Sequence, residues 1–251
     1  FDKTLTVTAG GVPSITLHIK GNVTKKPEDF TVTYPQSFGD LRAKNKRDFS
    51  FAQISSQQAT TTQIIDIANA GDKAVKVTFE NVPEYIVVNA IPDSLGPRQK
   101  GQITIGVNGA KRKKFGYIND KITVKTGKST ETISVTSIVA EKIEPATDKI
   151  PVSEIIQSTV DLGTLTENKV SSPIEIRNIG NADLVIKSFT ADNDAFTVAM
   201  KKEIKIKAGK TGTIKLSANN LQKGSNVAQL YLSTNDPAKS LLRVTVKADV
   251  Q

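Results

Sequence analysis

The chain has 251 residues and a formal charge of +9, from 34 Lys and Arg against 25 Asp and Glu. It has no Cys and a single His, which excludes disulfides, thiolate metal sites and a His-based zinc centre. No apolar run approaches the roughly 20 residues that cross a bilayer, and aromatics, at 5%, are not interleaved with the basic runs as a nucleic-acid stacking platform requires.

Hydrophobic residues make up 37%, enough to build cores in two domains of ordinary size. The Lys and Arg residues are scattered, so the charge reads first as a solvated surface. A second reading is attraction to acidic glycans or headgroups.

In chain order, residues 1–23 alternate apolar and polar side chains as a β-hairpin. Their pattern matches the end of the chain. Leu5 and Val7 fall on Leu230 and Leu232, and Leu17 and Ile19 fall on Val244 and Val246. The hairpin therefore reads as the closing hairpin of a truncated preceding Ig-like domain. The first residue is Phe1, so this reading expects a signal peptide, a lipid-anchored segment or more domain upstream. The alternative is that the hairpin pairs with a neighbouring domain or, strand to strand, with another molecule. His18 has the opposite parity to Ile15, Leu17 and Ile19 and is expected to face solvent.

Residues 24–35 carry Pro and charge and read as a linker. Residues 36–141 read as an Ig-like β-sandwich, with strands expected near 49–54, 61–69, 73–79, 84–90, 101–107, 117–126 and 131–139. Residues 142–151 form a second linker, short enough to give a semi-rigid rod. Residues 152–251 read as another sandwich, with strands near 158–163, 172–178, 183–189, 195–199, 203–207, 211–218, 226–233 and 240–248. No convincing amphipathic helix is found. The fold class is all-β: tandem immunoglobulin-like β-sandwiches, two full copies plus the C-terminal hairpin of a preceding copy.

The two units match segment by segment. Ile65, Ile67, Asn69 and Gly71 fall on Ile174, Ile176, Asn178 and Gly180. In both, Asn-x-Gly separates two strands and is expected to form a tight turn with positive φ. QKGQITIGV falls on GKTGTIKLSA, and GYINDKITVKT on GSNVAQLYLST, at a spacing of about 110 residues.

These motifs carry a resemblance. Asn-x-Gly between the second and third strands, the Gly-led strands after it and the final V-x-V-x-A-x-V strand resemble the bacterial branch of the Hydin-like, major-sperm-protein-like Ig domains. More narrowly, the chain is similar to secreted Gram-negative proteins of the domain-of-unknown-function 1573 type. The resemblance implies an envelope location, in the periplasm or on the outer surface, and a protein-scaffold role with no known reaction. Many such proteins carry Cys-x-Cys after the third strand. This chain has FENVPEY at 79–85 and no Cys, so a redox or metal role tied to that pair is excluded.

A Ser-His-Asp triad would have to rest on His18, in a hairpin away from any full unit. Asp192, Asn193 and Asp194 lack the Gly and distal Glu of a calcium loop and read as a polar turn. Asn235-Asp236-Pro237 reads as an ordinary turn. Ala208 to Thr213, AGKTGT, precedes a strand and is not a phosphate loop. Asn22-Val23-Thr24 fits a glycosylation sequon, and Asp93-Ser94-Leu95 a three-residue bacterial O-glycosylation pattern. Lys111, Arg112, Lys113 and Lys114 form the densest basic run, in a loop at one end of the first sandwich, where recognition often sits. They are the candidate contact for a partner or polyanion.

The expected function is non-catalytic: an envelope protein whose modules act as spacer and docking scaffold for another envelope protein. Two other readings stand beside it. One is a module that binds acidic glycans or other polyanions through its basic loops. The other is an accessory part of a larger protein whose functional domain lies upstream. No cofactor, metal or nucleic-acid partner is expected.

Overall fold

Period-two alternation puts every second side chain on one face, so each strand offers one apolar row to a core. In the computed structural model, which describes residues 1–24, 26–44, 48–200 and 202–251, these rows close two β-sandwiches in series behind a separate hairpin. The hairpin consists of β1 (Asp2–Val7) and β2 (Ile15–Lys20), and every residue in it is exposed.

One helical turn follows, α1 (Phe30–Thr33), capped by the Asp29 side chain, which accepts from Thr31 N. The turn anchors what sequence reads only as a linker. Phe30 and Tyr34 are buried with Ala68, and the Arg98 guanidinium lies 4.3 Å from the Phe30 ring centroid. Lys100 pairs with Glu28 at 2.6 Å, and this hydrogen bond holds the Glu28 carboxyl below its ordinary pKa.

The first sandwich contains β3 (Gln36–Phe38), β4 (Leu41–Ala43), β5 (Asp48–Ser50), β6 (Ile54–Ser55), β7 (Thr61–Ala68), β8 (Val75–Glu80), β9 (Ile86–Ile91), β10 (Ser94–Leu95), β11 (Lys100–Val107), β12 (Gly116–Thr126) and β13 (Ser129–Ala140). One sheet runs β3-β4-β7-β11-β9. The other runs β10-β8-β12-β13-β5, with β6 also beside β13. Ile65, Ile67, Ile103 and Ile105 from the first sheet meet Ile122, Val124, Ile133 and Val135 from the second in one core. The β12–β13 turn has two residues. Gly127 supplies the positive φ that such a turn needs at its first position.

The second sandwich contains β14 (Ser153–Ile155), β15 (Thr159–Leu165), β16 (Val170–Asn178), β17 (Leu184–Ala191), β18 (Phe196–Val198), β19 (Ile204–Ile206), β20 (Thr211–Ala218), β21 (Gly224–Thr234) and β22 (Leu241–Val250). Its sheets run β14-β16-β20-β18 and β15-β22-β21-β17-β19. Ile174, Ile176, Ile214 and Leu216 face Leu230, Leu232, Val244 and Val246.

The strands read from alternation are present within a few residues, except that the one expected over 49–54 is split into β5 and β6. Missing from that reading are α1 and the short strands β3, β4, β10 and β14, which have too few residues to show a period.

The Asn-x-Gly segments differ from the expectation. β7 and β8 lie in opposite sheets, as do β16 and β17, so each motif is a corner between sheets and not a hairpin turn. Neither Gly71 nor Gly180 has positive φ. The asparagine makes the corner. Asn69 is fully buried, and its amide donates to Lys73 O, Leu95 O and Gly96 O while its carbonyl accepts from Gly71 N at 2.9 Å. Asn178 repeats the scheme with Ala182 O, Ile206 O and Gly180 N. A chain crossing about 10 Å between sheets leaves backbone groups without ladder partners, and a buried carboxamide can satisfy several of them.

Asp236 also proves to be more than a turn residue. It is buried, and its carboxylate accepts from Ser153 N, Ser153 Oγ, Ala238 N and Lys239 N. It ties the β21–β22 connection to the start of the second sandwich.

Candidate interaction surfaces

The basic run splits. Asn108 caps a short 3-10 turn over Gly109–Lys111, accepting from Ala110 N at 3.0 Å and Lys111 N at 3.3 Å. This turn sets the direction of the loop that follows. Lys111, Lys113 and Lys114 are exposed, whereas Arg112 is half-buried. The Arg112 guanidinium lies 4.4 Å from the Tyr85 ring centroid, a cation–π contact. The Tyr85 hydroxyl donates to Asp120 Oδ2 at 2.6 Å. Burial, then this bond to Asp120, pushes the Tyr85 phenol far above its ordinary pKa. Three ammonium groups therefore face outward, and the fourth cation holds the loop to the sandwich. Beside them, a groove of about 630 Å3 opens between β8 and the edge strand β9, lined by Phe79, Val88, Ala90 and Lys111 among others.

The second surface is the joint between the sandwiches, which sequence reasoning missed. Gly116 begins β12 with φ +119, and a Cβ there would lie 2.1 Å from Thr190 Oγ1. Thr190 belongs to β17 of the second sandwich, and its hydroxyl accepts from Tyr117 N at 2.7 Å. The Tyr117 ring stacks on Tyr231 with centroids 6.1 Å apart and planes 11° from parallel. Arg243 bonds to Gln53, and Lys187 pairs with Glu141 at 2.7 Å. Ser240 donates to the Glu141 carbonyl. A single tyrosine in each of two strands gives no sequence signal. The contact is visible only in the folded chain, where Gly116 meets Thr190 and Tyr117 meets Tyr231.

A cleft of about 370 Å3 runs along this joint, lined by Tyr117, Asn119, Thr190, Asp192, Asp194 and Thr197 among others. Asp192 accepts from Gln229 N at 2.8 Å, and Asn193 closes its own turn by accepting from Ala195 N. Among the described residues no three His, Cys, Asp or Glu side chains gather as a metal site. Burial first, and then Asp192, raises the pKa of both Tyr117 and Tyr231; Asp194 adds to the shift at Tyr117, while Arg243 opposes it at Tyr231.

These phenols give a pH test. Tyr85, Tyr117 and Tyr231 should ionise above the ordinary tyrosine range of about 10. The folded chain then keeps protons that the unfolded chain releases, so stability should fall as pH rises past the unfolded value. A spectrophotometric titration at 295 nm checks this. Ionisation of Tyr85, Tyr117 and Tyr231 near pH 10 in the folded protein would contradict it.

The other sequence candidates stay apart. His18 is exposed, with Nδ1 3.6 Å from Asp2 Oδ1 on the polar face of the hairpin. AGKTGT leads into β20 as a turn, with Lys210 N donating to Lys207 O. Asn22, Val23 and Thr24 are exposed, as is Ser94, while Leu95 is buried. No helix among the described residues is long and apolar enough to cross a membrane.

Residues 151–249, the span of the second sandwich, match the family described as HYDIN/CFA65/VesB-like, Ig-like domain. No curated protein matches the chain. A crystal structure of a protein of unknown function from Porphyromonas gingivalis W83 is similar, at 20% identity and TM-score 0.63. It covers 84% of this chain and 100% of its own, more than either sandwich alone supplies. A PapD-like domain of human CEP192 is 11% identical over 43% of this chain and 92% of its own, with TM-score 0.35. At these identities the likeness is one of fold.

Proposed function

We propose that the chain is a non-catalytic spacer and docking scaffold of the bacterial cell envelope. Its Ig-like sandwiches would be held in series to present surfaces to another envelope protein. The observation that carries this is the joint. Gly116 against Thr190 and Tyr117 on Tyr231 form a fitted contact between sandwiches, whereas domains that only share a tether have no need of one. The anchored turn α1 extends the same logic toward the hairpin. A chain without Cys also suits an oxidising compartment, where it has no thiol to mispair. Small-angle scattering should give one elongated particle of fixed shape. A compact globule, or two freely tumbling bodies, would refute the reading.

A second reading has its own observation: Lys111, Lys113 and Lys114 all face solvent at one sandwich end. We infer from this a contact for an acidic glycan or similar polyanion. Three clustered ammonium groups bind a polyanion in a salt-dependent way, because their field is screened within about 8 Å at physiological ionic strength. Replacing all three by Glu should move elution from a heparin column to clearly lower salt. Equal elution of variant and parent would remove this reading and leave the scaffold untouched.

A further inference from the structure

The hairpin β1–β2 has an apolar face that nothing in the described structure covers. Leu5, Val7, Ile15, Leu17 and Ile19 share that face and are 48–63% exposed. Asp2, Thr4, Thr6, Thr16, His18 and Lys20 share the other face. An isolated two-stranded hairpin is marginal in water, so the bare face calls for a partner.

The pairing register identifies that partner. β1 and β2 pair Leu5 with Leu17 and Val7 with Ile15. β21 and β22 pair Leu230 with Val244 and Leu232 with Leu242. β12 and β13 pair Ile122 with Ile133. With Leu5 set on Leu230 and Ile122, the cross-strand partners Leu17, Val244 and Ile133 coincide as well. In both sandwiches these matched positions are fully buried: Ile122, Ile133, Leu230 and Val244 are each 0% exposed. The polar departure at Lys3, opposite Ile19, falls where the first sandwich has Asp120 opposite Val135. Asp120 is half-buried and bonded to Tyr85, so this row tolerates a charge at that end.

We infer that β1–β2 is the closing hairpin of a further Ig-like sandwich on the same polypeptide, and that its apolar face docks on the counter-sheet of that unit. The two sandwiches give the chemistry of the occupant. It is an aliphatic sheet face like the one Ile174, Ile176, Ile214 and Leu216 present to β21–β22. It also brings two flanking strands. β21 and β12 each have an antiparallel neighbour on their outer edge, β17 and β8, while β22 and β13 each have a parallel one, β15 and β5. A second copy of the hairpin, face to face, would cover the apolar row but leave both edges bare.

The inference rests on the tandem-module reading, but its test is separate from the scattering experiment, whose outcome depends on the joint at Gly116. Hydrogen exchange at Thr4–Val7 and Thr16–Ile19 is compared in this chain and in the same polypeptide with its native upstream residues. In the longer form these amides should exchange at least about a hundredfold more slowly. Leu17→Lys should abolish that protection while leaving the melting of the two sandwiches unchanged. Equal exchange in both forms would overturn the inference, as would an upstream sequence without alternating apolar strands. Protection that appears in the 251-residue chain and rises with its concentration would also overturn it, in favour of a second copy as occupant.

Discussion

Replacing Asn178 by Ala should destabilise the second sandwich by about 3 kcal/mol, the sum of several lost side-chain bonds and the carbonyls they leave unpaired. The side chain is fully buried. It donates to Ala182 O at 2.7 Å and Ile206 O at 3.0 Å, and accepts from Gly180 N at 3.0 Å. A weaker contact from Val152 N, at 3.4 Å, joins it to the segment that leads into β14. Alanine removes all four and fills none of their sites. For a domain of about 100 residues this corresponds to a melting point lower by roughly 15 °C. Asn69→Ala should do the same to the first sandwich, since Asn69 makes the matching set of bonds there. Calorimetry on the two variants should therefore lower two different transitions. A loss below about 1 kcal/mol in either would mean that water replaces the carboxamide at that corner.

Gly116→Val should open the joint while leaving both sandwiches folded. Two effects act together. The backbone there has φ +119, which a β-branched residue resists, and any Cβ meets Thr190 Oγ1 at 2.1 Å, far inside contact distance. Relief requires Thr190 to rotate its hydroxyl out of the joint or the second sandwich to move away. The bond from Tyr117 N to Thr190 is then lost, along with the Tyr117–Tyr231 stack, worth about 0.5–1.5 kcal/mol beyond its buried area. Scattering should report a flexible pair in place of a fixed shape, and protease cleavage within residues 142–149 should quicken about tenfold or more.

Gly224→Val is the internal control for this variant. Gly224 begins β21 as Gly116 begins β12, with φ +89, but nothing lies within 4 Å of a Cβ built on it. It carries similar backbone strain without the clash. If the Gly224 variant loosens the joint as much as the Gly116 variant does, strain and not contact explains the effect.

The fold was legible where alternation ran long enough. β13 buries Ile133, Val135, Ser137 and Val139 in strict period two, and β22 does so with Leu242, Val244, Val246, Ala248 and Val250. The Asn-x-Gly motifs are visible in the sequence, but what they connect is not. Two alternating strands with polar residues between them describe a hairpin and a corner between sheets equally well. What separates the two is which neighbour each strand pairs with, and that is a long-range property. Of the candidate site, Lys111–Lys114 was visible as a run of charge, but not that Arg112 turns back onto Tyr85. That contact depends on Tyr85 being brought beside the loop from 27 positions earlier in the chain.

The amino-acid sequence by itself determined the all-β class, the alternating strands, the matching pattern of the two Asn-x-Gly segments and the lack of any thiol. Each of these follows from local period or from composition, which no packing can change. The tertiary structure alone decided which asparagines are buried, which lysines face out and how the sandwiches meet. Those outcomes depend on distances between residues far apart in the chain, such as the 2.7 Å from Tyr117 N to Thr190 Oγ1, and residue order alone does not encode such distances in a form that pattern can read.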